Sequence, residues 1–126
     1  MKPENPEVTF LPSHAWKNTV ALSVDVEDYF MSPECIPFEE WAGYPSAIHT
    51  GMERLLELFK EYNARATFFF VGWLAERYPE IVRWTAEAGH EIASHGWRWI
   101  DYQKMGIAEE RRHMKLAIAA IKDVCG

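Results

Sequence analysis

The sequence predicts an α/β fold built from parallel-stranded β/α units. Two observations carry that prediction. Three short runs, Thr19–Val26, Ala66–Val71 and Glu91–Ser94, are β-branched, aromatic or otherwise apolar for most of their length. The first two are nearly continuous, the pattern of strands covered on both faces. Stretches with helical periodicity lie between them, and strands that alternate with helices imply a parallel sheet with right-handed crossovers. Three strands cannot close a barrel, so an open edge must be covered or paired. The chain therefore reads as part of a larger α/β unit, or as a protomer of a homo-oligomer.

Taken in order, residues 1–18 are rich in proline and polar groups and read as an N-terminal arm, with Pro12 and His14–Trp16 as its anchor. Residues 19–126 form the domain proper. Thr19–Val26 ends in Asp25-Val26-Glu27-Asp28, three carboxylates in four residues at the end of a buried strand. Charges there are costly unless they are used. Tyr29–Pro45 reads as a long loop that Phe30, Phe38, Trp41 and Tyr44 would pack down.

Ser46–Tyr62 is the clearest helix. Ile48, Met52, Leu55, Leu56 and Phe59 share one face. Ser46 is the candidate N-cap, and Asn63 can take the left-handed conformation that ends a helix. Trp73–Tyr78 makes a helical turn. Pro79 suits the first position of a helix running to Ala88, and Gly89 stops it. Trp97–Gly106 is loop. Ile107–Val124 is the last helix, with Ile107, Met114, Ala117, Ile118 and Ile121 on its apolar face.

Composition narrows the function. The 126 residues suit one domain, and the net charge of −6 with a pI near 5.3 argues against nucleic acid, whose phosphates need a basic surface. No basic face suggests a membrane surface, and the longest apolar run, Ala66–Ala75, is too short to span a bilayer. The first residues lack the apolar core of a signal peptide, so a cytoplasmic location is expected. Cys35 and Cys125 match no metal or redox spacing and read as free thiols.

The chemistry-bearing residues gather at strand ends. Asp25, Glu27 and Asp28 follow the first strand and His95 follows the third, so a parallel sheet puts them on one rim. Acid and imidazole there could hold a divalent metal. They could also act without one, a carboxylate deprotonating water while the imidazole polarises a carbonyl. A purely structural reading stands beside these: Asp25 as a cap and His95 as a satisfied histidine. His90 is expected to hydrogen-bond the turn after Gly89. His113, beside Arg111 and Arg112, reads as solvated, and His14 and His49 show no partner. Trp97 and Trp99, flanking Arg98, either pack the loop or form a substrate-binding wall.

Three segments resemble the polysaccharide deacetylase superfamily, the NodB-homology domains. They are Ala21–Phe30 (Ala-Leu-Ser-Val-Asp-Val-Glu-Asp-Tyr-Phe), Arg65–Gly72 (Arg-Ala-Thr-Phe-Phe-Phe-Val-Gly) and Gly89–Gly96 (Gly-His-Glu-Ile-Ala-Ser-His-Gly). The resemblance implies the N-terminal part of a distorted (β/α) barrel and a hydrolase of carbon–nitrogen bonds other than peptide bonds. Its substrate would be a carbohydrate bearing N-acetyl groups or a small cyclic ureide. It implies Asp25 as the catalytic base, Glu27 or else Asp28 as a metal ligand, and His95 as the first of two metal-binding histidines four residues apart. Trp99 stands at the second position, and an indole N–H cannot ligate. Glu27 and His95 alone are too few ligands for catalytic zinc, with Asp101 as a substitute that nothing requires.

The stretch His95–Gln103 resembles the allantoinase branch, which is thought to act without metal. Asp25–Phe30 resembles the exopolysaccharide-linked deacetylases. Family members also use an arginine and a general-acid histidine from later segments, for which these residues offer no match. Low activity, or a non-catalytic module that pairs with another chain, is therefore the alternative expectation.

Overall fold

The computed structural model describes residues 18–32 and 36–125. The expected arm and Cys35 lie outside these residues. Cys125 is a free, exposed thiol.

Three strands, β1 (Ser23–Val26), β2 (Thr67–Phe70) and β3 (Glu91–Ser94), form a sheet in the order β1-β2-β3. Both pairings are parallel, and Asp25, Phe69 and Ala93 stand side by side. Among the described residues four helices accompany the sheet: α1 (Ile48–Glu61), α2 (Gly72–Arg77), α3 (Pro79–Glu87) and α4 (Ile107–Cys125). The alternation read from the sequence holds throughout.

Side chains on a strand alternate between faces. Val26, Phe68 and Phe70 are buried on the helix-covered face, with Val24 and Ile92 packed against the same core. That alternation assigns Asp25, Phe69 and Ala93 to the opposite face. β1 is shorter than expected and is not buried on both faces. Ser23 and Asp25 are exposed, while Val20 and Leu22, outside the strand, are 79% and 44% exposed. The physical reason is position: β1 is an edge strand, and β2 offers partners only from Thr67 onward.

The long loop packs as expected. Phe30 and Trp41 are buried and meet Trp73 edge-on, and Phe38–Gly43 winds into a 3-10 turn. Helix α1 begins at Ile48, with Ala47 rather than Ser46 at its N-cap. The Ser46 hydroxyl still accepts the Ile48 N–H at 3.3 Å and itself donates to Asp28. Asn63, with φ 48°, ends the helix, and the Ala64 N–H reaches back to the Phe59 carbonyl.

Helix α4 corrects two expectations. Its buried residues are His113, Ala117 and Ala120, whereas Ile107, Met114 and Ile118 are exposed. Ala117 lies so close to Gly72 that a Cβ there would come within 2.8 Å of its Cα. Small residues let α4 approach α2 closely, and that approach turns the bulkier residues outward. His113 is 2% exposed, not solvated, and its Nδ1 has no hydrogen-bond partner among the described residues. Burial, then the charges of Arg112 and Arg98, holds its pKa below the ordinary imidazole value.

Candidate active site

The three predicted site residues at the carboxyl rim do meet. His95 Nε2 lies 2.8 Å from Glu27 Oε1 and 3.9 Å from Asp25 Oδ2. Residues two apart share a face in extended chain, so Asp25 with Glu27, and Ala93 with His95, project to the same side. The first is a close polar contact; the second lies beyond hydrogen-bond range. Asp25 is the most exposed of the three, with 61% of its side chain accessible. Its carboxylate is open to water.

The backbone fixes the loop that carries His95. The His95 N–H donates to the Phe70 carbonyl at 2.8 Å. The Gly72 and Trp73 N–H groups, at the start of α2, donate to the carbonyls of Gly96 and Trp97 at 2.8 and 3.0 Å. A helix start has free N–H donors, and here they hold the site loop. Gly96 is left-handed, with φ 75°, and a Cβ there would come within 2.8 Å of the Tyr102 hydroxyl.

Asp28 does a different job. It is 6% exposed and accepts from the Tyr29 N–H at 2.9 Å, the Ala47 N–H at 3.3 Å and the Ser46 hydroxyl. Its oxygens are committed to the entry of α1, so Asp28 is removed as an alternative ligand. Asp101 is removed as well. It caps the 3-10 turn at Tyr102–Lys104, accepting from the Gln103 N–H and pairing with Lys104 at 3.1 Å. The Lys104 bond, then the Gln103 N–H, holds its carboxyl below the usual range.

A cavity of about 620 Å³ opens over the rim. Asp25, Glu27 and His95 line it with Arg98, Trp99 and Tyr102. Trp99 is 51% exposed and forms part of the wall. Trp97 does not line this cavity, so it takes the packing role and not that of a substrate-binding wall. It packs on the core, and its Cε3 would meet a Cβ on Gly72 at 2.8 Å. The ring fits there because Gly72, with no side chain, leaves it room, while the Trp97 carbonyl is tied to the start of α2. Sequence reasoning underrated Arg98 and Tyr102. The only available signal was their closeness to His95 in the chain.

The divalent metal that the resemblance implies does not fit this donor set. Glu27 and His95 together offer two donor side chains, fewer than a catalytic ion needs. Trp99 presents an indole, and no three histidine, cysteine or acidic side chains among the described residues form a group that could hold an ion.

Among the described residues the other histidines are structural. His90 is buried and accepts the Ala66 N–H at 3.3 Å through Nδ1, so it fixes the start of β2 rather than the turn after Gly89. Burial, then the charge of Arg65, lowers its pKa. His49 does have a partner, Glu80 Oε1 at 2.6 Å, and that bond lowers the Glu80 pKa.

The class is therefore a parallel β/α protein whose acid–imidazole–acid group sits at the carboxyl rim of the sheet. Comparison with known proteins narrows this. The polysaccharide deacetylase family model matches residues 16–126, and the chain belongs to that family. A peptidoglycan deacetylase of Helicobacter pylori is 34% identical over 76 residues, covering 60% of this chain and 26% of the relative. The crystal structure of an allantoinase matches at 47% identity with a TM-score of 0.56, over 59% of this chain and 24% of that one. A family 4 carbohydrate esterase from Streptomyces lividans, in complex with acetate, shares the fold. Its TM-score is 0.64 at 23% identity, over 85% of this chain and 45% of that one. The matches cover 22% and 26% of the first two curated relatives, about a quarter of their length. The three-stranded sheet is thus a partial NodB-type barrel.

Proposed function

We propose that this chain carries the base-bearing part of a carbon–nitrogen hydrolase that removes acetyl groups from N-acetyl sugars of a polysaccharide. The observation that supports the reading best is the group Asp25, His95 and Glu27. Asp25 is open to water and too far from His95 to be neutralised by a direct hydrogen bond, so it can take a proton from a water molecule. The resulting hydroxide adds to the amide carbonyl. Glu27 Oε1 stands 2.8 Å from His95 Nε2 and so helps to orient the ring, which can polarise the carbonyl oxygen through an N–H. When the C–N bond breaks, the proton held by Asp25 is the one the leaving amine needs.

A second reading is favoured by two observations. The allantoinase match is among the higher in identity, and Trp99 replaces a metal-binding side chain with an aromatic wall. In that reading the same base and imidazole open a ring amide of a cyclic ureide.

One experiment separates the two. Acetate release from N-acetylglucosamine oligomers and ring opening of allantoin are measured in parallel on wild type and on Asp25→Asn. The deacetylase reading expects acetate release that falls on the order of 100-fold or more in the variant, with an unchanged melting temperature. Ring opening without acetate release selects the ureide reading. Full activity in Asp25→Asn refutes the base assignment in both.

A further inference from the structure

Arg98 is the one arginine or lysine lining the rim cavity among the described residues. Its guanidinium carbon lies 4.5 Å from the centroid of the Phe38 ring. No ion pair or hydrogen bond joins that guanidinium to another group among the described residues, whereas Lys104 and Arg112 both have acidic partners. A ring face holds an arginine in place without satisfying its five N–H donors. The backbone is fixed too, because the preceding carbonyls of Gly96 and Trp97 are bonded to the start of α2. The result is a pre-positioned fork for an anion.

Its surroundings make this specific. The same cavity holds Asp25 and Glu27, so without Arg98 it would repel an acidic ligand. A neutral sugar needs no cation there.

We propose that Arg98 is a specificity-determining residue that binds a carboxylate carried by the substrate, so that the cavity prefers N-acyl sugars bearing an acidic substituent. This rests on the deacetylase reading for its substrate class, but its test reads binding and not turnover.

The probes are N-acetylmuramic acid, its methyl ester and N-acetylglucosamine, which share the amide and differ in the carboxylate. Binding is followed by calorimetry or by NMR shifts of the full chain. Wild type should bind the acid about tenfold or more tighter than either neutral sugar. Arg98→Gln should lose that preference while keeping its affinity for N-acetylglucosamine. A preference that survives in Arg98→Gln, or equal affinity of wild type for acid and methyl ester, overturns the proposal; so does absence of binding by all three. The acid–ester comparison needs no variant and stands even if Arg98→Gln fails to fold. An Arg98-dependent preference in a chain that releases no acetate would refute the deacetylase reading and leave this one intact.

Discussion

His90 and His95 bracket the same four-residue strand, one residue before it and one after, yet they are different chemical objects. His90 is buried between Phe59 and Phe68, its ring 4.8 Å from that of Phe68, and its Nδ1 accepts a backbone N–H. Burial holds it neutral. His95 is 35% accessible and faces two carboxylates across the rim. The difference comes from the ends of a parallel sheet. At the amino end the ring is packed under the helix connections. At the carboxyl end β1 delivers Asp25 and Glu27 beside it, while the α2 start pins the loop. One strand thus carries a buried imidazole at one end and, at the other, one that faces the rim carboxylates.

The contrast can be tested by exchanging the burdens. His95→Gln should cut turnover on the order of 100-fold while changing stability by less than about 1 kcal/mol. His90→Ala should do the reverse. It empties an aromatic-lined site and orphans the Ala66 N–H, for a loss of about 2–3 kcal/mol in urea unfolding. Were His90→Ala to abolish activity at full stability, the division between the two ends would be wrong.

A smaller effect is expected at the pair of acids that follow β1. Asp28→Ala should cost about 1–2 kcal/mol through loss of the bonds at the entry of α1, seen as a lower urea midpoint. Glu27, one residue earlier, should be nearly silent in the same assay. Equal destabilisation by Glu27→Ala would show that the two acids share a structural role.

The smallest effect is the pH dependence. His90 and His113 both have lowered pKa values, each chiefly through burial. The unfolded chain therefore binds more protons than the folded one in this window. Stability is full above the ordinary imidazole value of 6.5 and declines as pH falls through the lowered folded values. Glu80, lowered from 4.5 by its bond to His49, adds a further decline only in more acidic solution. Melting curves from pH 7.5 to about pH 5 should show the first decline, and His113→Leu should flatten it. A melting temperature that rises on acidification would contradict the buried, neutral assignment.

Local pattern made much of this legible. Alternation along Val24–Glu27 and Ala93–His95 places the acids and the imidazole on one face, and parallel pairing puts them at one end. Both follow from the chain alone once the strands are recognised. The short-range signals at Asn63 and Pro79 also report reliably, because they act through the backbone of their own residue.

What the sequence could not show depends on contacts between distant segments. Asp28 and Glu27 are adjacent acids, and only the approach of Ser46 and Ala47 makes one a cap and leaves the other to His95. Trp97 and Trp99 look equivalent in the chain. The space beside Gly72 admits the first onto the core, and the second stays on the cavity wall. On α4, the spacing selected Met114, Ala117 and Ile118 together, but close packing at Gly72 buried Ala117 with His113 and Ala120 and left Met114 and Ile118 exposed. Periodicity fixes which residues share a face. Which face is buried is decided by the neighbour that arrives, and that is a property of the tertiary structure.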